Sequence, residues 1–101
     1  MEKPTITING VEHEMRHLTG RDWRVMGEFI ESAPDFTDVA YLAKHAEFIA
    51  NFYANVTADD ILDLPIEDIL PASTAVRNYI VASLTAKFEK IEKNVEADKA
   101  Q

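Results

Sequence analysis

The chain of 101 residues contains no cysteine. That absence removes disulfides, thiol chemistry and cysteine-ligated zinc together, and it fits a cytosolic setting without requiring one. Glycine is nearly as scarce, with three residues in all and none after Gly27. The glycine-closed calcium loop is missing, as are the GxGxxG and GxxxxGK phosphate loops and the HExxH zinc helix. No apolar run reaches the roughly 18 residues of a membrane span. The opening MEKPTITING has no apolar stretch ahead of a small-residue cleavage site, so no secretory signal is expected.

Positive charge is missing from the middle. The net charge is -8, and residues 25–72 hold ten acidic groups against Lys44 alone. Residues 1–24 balance four basic with four acidic groups, and residues 73–101 carry five and four. The acidic middle repels phosphate backbones, which argues against nucleic acid as a partner and leaves a basic protein partner allowed. The 47% apolar content argues for a folded chain of one domain, small enough that oligomerisation is a natural source of further burial.

The pattern along the chain predicts an α+β fold, mostly α-helical, with an N-terminal β-hairpin followed by about four or five helices. The hairpin covers about residues 5–18: Thr5 and Thr7 alternate with Ile6 and Ile8, Asn9–Gly10 suits a tight turn, and the second arm puts Val11, His13, Met15 and His17 on one side. The helical body covers about residues 21–92, and the charged residues 93–101 are expected to fray. A first helix over 22–31 has Trp23, Met26 and Ile30 as its stripe, with Val25 and Phe29 beside it. A second, from Thr37 or Asp38 to Tyr53 or Ala54, has Val39, Leu42, Ala46, Ile49 and Tyr53 inward. A further row of Tyr41, His45, Phe48 and Phe52 widens its apolar surface beyond a minimal core face. The last helix, opened by Ser73 or Thr74, carries Val76, Ile80, Leu84, Phe88, Ile91 and Val95.

Between these helices lies DDILDLPIEDILP, Asp59–Pro71, with five carboxylates and two prolines. Five acids could offer oxygen ligands to a hard cation. Two short helices explain them better. Thr57 caps the first, and Asp59 and Asp60 sit at its positive dipole end. Pro65 marks the corner, Glu67 and Asp68 open the second helix, and Pro71 ends it. His13 and His17, about 13 Å apart on an extended strand, are too distant to share a zinc. Ser32, Ser73 and Ser83 lack the flanking motifs of a nucleophile. Arg16, Arg21 and Arg24 around Trp23 form the one basic–aromatic patch, better explained by ion pairs with Glu12, Glu14 and Asp22 than by a base-stacking surface. No enzyme, cofactor or metal site is expected.

The ITINGVEHEMR hairpin, the helical body and the stretch YANVTADDILDLPIEDILPASTAVRNYI resemble tail assembly chaperones of long-tailed phages and prophages of Gram-positive bacteria, over about residues 5–92. Trp23 and Gly27 match no motif of that family. The resemblance implies a non-enzymatic protein that self-associates as a homo-oligomer. It also implies binding to the tape measure protein, which is kept soluble in the host cytoplasm until the tail tube forms around it. Absence from the finished virion and a longer frameshifted form of the chain are implied as well. A client surface needs exposed apolar groups, and the candidates are Trp23, Val25, Phe29, Tyr41, Phe48 and Phe52. The hairpin edge is a second place for self-association. An acidic helical adaptor or regulator, or a small structural tail component, are the alternative readings.

Overall fold

A computed structural model describes residues 2–32 and 40–99, with side chains given as far as residue 86. It shows a β-hairpin followed by four helices: β1 (Thr5–Ile8), β2 (Val11–Glu14), α1 (Gly20–Ser32), α2 (Tyr41–Ala50), α3 (Ala58–Leu62) and α4 (Ile66–Lys99). The predicted class, mostly helical with an N-terminal hairpin, is the observed one. Val39 and the expected start of the second helix at 37 or 38 lie outside the described residues, as do the side chains of Phe88, Ile91 and Val95.

The hairpin turns on Asn9 (φ 51°) and Gly10 (φ 79°), the left-handed pair that a two-residue turn requires. Its register sets Ile6 opposite His13 and Ile8 opposite Val11. Ile6 and Ile8 are buried while Thr5 and Thr7 face solvent, so one face of β1 closes on the helices. The second arm is shorter than its sequence predicts. It ends at Glu14, and Met15 bridges to Tyr53 at the end of α2. The chain leaves the ladder there because the Arg16 N–H donates to the Phe52 carbonyl (2.9 Å) instead of to β1. Tyr53 anchors the same corner from the other side. Its hydroxyl donates to the Pro4 carbonyl at 2.8 Å, and burial pushes its pKa up to about 12.

α2 is the central element. Ala46, Phe48 and Ile49, with Phe52 and Tyr53 just beyond, are all buried, and α2 packs on α1, α3 and α4. From α1 comes Met26, with Phe29 stacked on Phe48 (4.2 Å between centroids, 15° between planes). The α1 face is therefore rotated from the predicted stripe: Met26 is inward, whereas Trp23 and Ile30 are exposed. α3 opens with a full capping box. Thr57 Oγ1 accepts from the Asp60 N–H, and Asp60 Oδ2 accepts from the Thr57 N–H at 2.9 Å, which leaves Ile61 fully buried beneath.

The largest departure from the sequence reading is at Pro71. It was expected to end a short helix, with Ser73 or Thr74 starting the next, but α4 runs unbroken from Ile66 to Lys99 with Pro71 inside. Proline there removes the bond to the Glu67 carbonyl and costs about 3 kcal/mol. Glu67 is exposed, so water can satisfy that carbonyl. Only one continuous register keeps Ile69, Ser73, Val76 and Ile80 on a single buried face, and each such aliphatic side chain contributes roughly 1.5–3 kcal/mol. Packing wins over the local breaker. At about 1.5 Å per residue α4 is roughly 50 Å long, which accounts for the 57 Å longest dimension of the molecule.

Replacing the exposed Pro71 by Ala restores the missing donor without touching the core. Urea unfolding should show a gain of about 1–3 kcal/mol. A loss would mean that α4 needs the proline to follow its path.

Candidate partner-binding groove

The groove begins with an ion pair. Thr19 precedes α1, and its N–H donates to Asp22 Oδ2 (2.7 Å) while its carbonyl accepts from the Asp22 N–H (3.0 Å). This half capping box turns the Asp22 carboxylate inward, where the residue is only 2% exposed. Burial alone would raise its pKa. The Arg16 guanidinium, donating from both terminal nitrogens (2.5 and 3.0 Å), and the Thr19 N–H reverse that and hold the carboxyl below its ordinary range. The stability that follows is present at neutral pH and lost as pH falls below about 3.8.

Arg16 reaches further. Its Nε donates to the Asn51 carbonyl at 2.9 Å, and the guanidinium lies 5.8 Å from the Phe52 ring centroid. One side chain thus joins the segment after β2, the start of α1 and the end of α2. Arg24 pairs with Glu28, one turn along the exposed side of α1. Of the three arginines, Arg16 is part of the fold.

With α1 fixed this way, its first turns stand beside the middle of α4 and leave an open groove of about 420 Å³ between them. Trp23 and Leu18 form one wall, and Tyr79, Ile80 and Leu84 the other. Trp23 and Leu84 remain 44% and 46% exposed, large apolar surface that no described residue covers. Lys3 adds positive charge at the edge, with His17 beside it.

The six residues singled out from sequence part company here. Trp23 lines the groove and is exposed. Val25, Phe29 and Tyr41 are half-buried. Phe48 and Phe52 are in the core, 5.1 Å apart edge to face, and so cannot present a surface in this conformation. The apparent excess of aromatics on α2 is taken up by Phe29 of α1 and Arg16 above Phe52. Leu84 and Tyr79 were not among the six. By spacing Leu84 belongs to the core stripe of the last helix, and the signal in the sequence is that this stripe is longer than the body it could pack against.

Two other arrangements have chemical interest. His45 Nδ1 and Ser73 Oγ are 2.8 Å apart, with the Phe29 and Tyr41 rings edge-on to the imidazole at 5.1 and 4.7 Å. Burial, with the nearby Arg77 charge second, lowers the His45 pKa. Ser73 is sealed in the helix interface and His45 is half-buried, so the contact gives the buried hydroxyl a partner. Among the described residues no three His, Asp or Glu side chains converge as a metal could require, those of the Asp59–Asp68 stretch included. No helix among them is long and apolar enough to cross a membrane. Comparison with protein-family models, curated proteins and solved structures finds no match.

Arg16→Ala would strand the Asp22 carboxylate. Denaturation should show a loss of about 3 kcal/mol, the low end for a broken buried pair because Arg16 itself is 40% exposed. Arg16→Lys, which keeps the charge but not the fork, should fall between. A loss below about 0.5 kcal/mol would make this an ordinary surface pair.

Proposed function

We propose that the chain is a tail assembly chaperone of a long-tailed phage or prophage, binding the tape measure protein and keeping it soluble during tail morphogenesis. It acts by stoichiometric, non-covalent association, without catalysis or cofactor, in the cytoplasm of the bacterial host, and leaves before the virion is complete. Two supports stand behind this reading. One is the resemblance carried by the ITINGVEHEMR and YANVTADDILDLPIEDILP stretches. The other, which carries the argument physically, is the open apolar groove with Trp23 at its lip.

A tape measure protein is long and helical, and unsheathed it exposes apolar stripes. A helix stripe seats in a groove between two helices as spaced side chains entering one trough. Trp23 is suited to be the anchor, since tryptophan supplies large contact area with few rotatable bonds, and Ile30 continues the same face of α1 two turns on. The acidic body, net -8, keeps the loaded complex soluble. The chain also associates with itself, and a frameshifted longer form would present the same groove.

Co-expression with the tape measure protein tests the proposal. The two should copurify, and the soluble yield of the tape measure protein should rise. Trp23→Ala, at an exposed position that leaves the fold intact, should weaken binding by at least about thirtyfold. If the native chain neither copurifies with that protein nor raises its solubility, the proposal fails.

A further inference from the structure

Gly27 stands in the interior of α1, more than one turn from either end of Gly20–Ser32. A glycine there weakens a helix relative to alanine, because it leaves the unfolded backbone more freedom to lose. The usual reasons for keeping one do not apply. Among the described glycines the left-handed conformation belongs to Gly10, not to Gly27. A Cβ at Gly27 would meet nothing within 4 Å, so no neighbouring element among the described residues needs the space. The fold gains nothing from this glycine.

What borders the gap is apolar and open. On an ideal helix Trp23, Gly27 and Ile30 fall within about 60° of one another, roughly 90° around from the buried Asp22 and Met26. Trp23 is 44% exposed and Ile30 49%. Two large side chains with none between them, at spacings of four and three, outline a hole that receives a side chain from a facing helix. An extended strand would meet the same face with its own backbone unpaired, since the middle of a helix offers it no free N–H or C=O. The Trp23 end of this face opens into the groove. Lys3 lines the groove there and has no ion-pair partner among the described residues, whereas Asp22, which also lines it, is held by Arg16. That end therefore favours a carboxylate on the occupant.

We propose that Gly27 is a docking notch: a helix of the client crosses α1 there, seats one bulky apolar side chain between Trp23 and Ile30, and sets a carboxylate against Lys3. This rests on the chaperone reading and adds to it the shape of the bound segment. The client helix approaches so closely that a side chain at position 27 would lie in its path, which is the role that only a residue without a Cβ can fill. Gly27 thus lowers the stability of the free chain and contributes in the complex.

Gly27→Ala and Gly27→Leu in the full chain separate binding from folding. Both should keep the helical circular dichroism and melt higher than the native chain, by about 2–8 °C for the alanine variant. Binding to the co-expressed tape measure protein should nevertheless weaken at least about tenfold for Gly27→Leu, because the notch is filled. Lys3→Glu should weaken it about threefold to tenfold, an effect that fades at high salt. Arg21→Leu, exposed on the far side of α1, should bind as the native chain does. A lower melting temperature for Gly27→Ala means that the glycine serves the fold, and overturns the proposal. So does a native chain that binds while Gly27→Leu binds equally well, and the chaperone reading then stands. If Gly27→Leu instead dissociates an assembly of the chain with itself and leaves client binding intact, the notch belongs to a second copy and the proposal is wrong. A native chain that does not bind the tape measure protein overturns both readings.

Discussion

The contact between Arg16 and Asp22 organises this small protein. Asp22 is almost wholly removed from solvent, and a carboxylate so placed stays charged only because the guanidinium fork and the Thr19 N–H face it. Arg16 in turn holds backbone carbonyls at Asn51 and Phe52. The segment after β2, the start of α1 and the distant end of α2 therefore meet at one cation. Aliphatic burial is roughly additive and tolerant of small shifts, whereas a fork of this kind fixes direction. It determines where α1 begins and which way Trp23 points relative to α4, and so it determines that there is a groove.

Around that point the core follows from α2. Phe48, Ile49 and Phe52 are enclosed by α1, α3, α4 and the inner face of β1, which is why two short strands can stay paired. Long α4 does two things at once. Its first half closes the core through Ile69, Val76 and Ile80, and its continuation passes the body, so side chains such as Leu84 stay in the open. Exposed apolar surface is here a consequence of geometry: one helix is longer than the domain it packs against.

Much of this was legible in the sequence, and the exceptions share a cause. The hairpin with its Asn9–Gly10 turn, the Thr57 cap and the core positions Val76 and Ile80 depend on local spacing, which the sequence displays directly. Pro71 was misread because a local breaker was weighed without the long-range register that overrides it. The α1 stripe was misread because Asp22, a charged residue, is inward, and hydropathy cannot anticipate a carboxylate neutralised from another segment. Phe48 and Phe52 looked surplus to α2 for a similar reason, since their covering comes from Phe29 and Arg16. Of the candidate surface, Trp23 was visible from sequence, and its partner Leu84 became so only once the end of the body could be seen beneath it.

The DDILDLPIEDILP stretch is, in structure, a capped turn of helix, a corner at Pro65 and the start of α4. Its acids do not converge on a metal position among the described residues. They flank the exposed Leu62 and Ile66. We propose that the groove beside Trp23 receives the client. Site-specific photo-crosslinking from position 23, in cells producing the tape measure protein, measures that directly. A client seated in the groove gives a crosslink from position 23 to the tape measure chain and none from exposed Glu12 on the hairpin. A crosslink from position 12 with none from position 23 would contradict it.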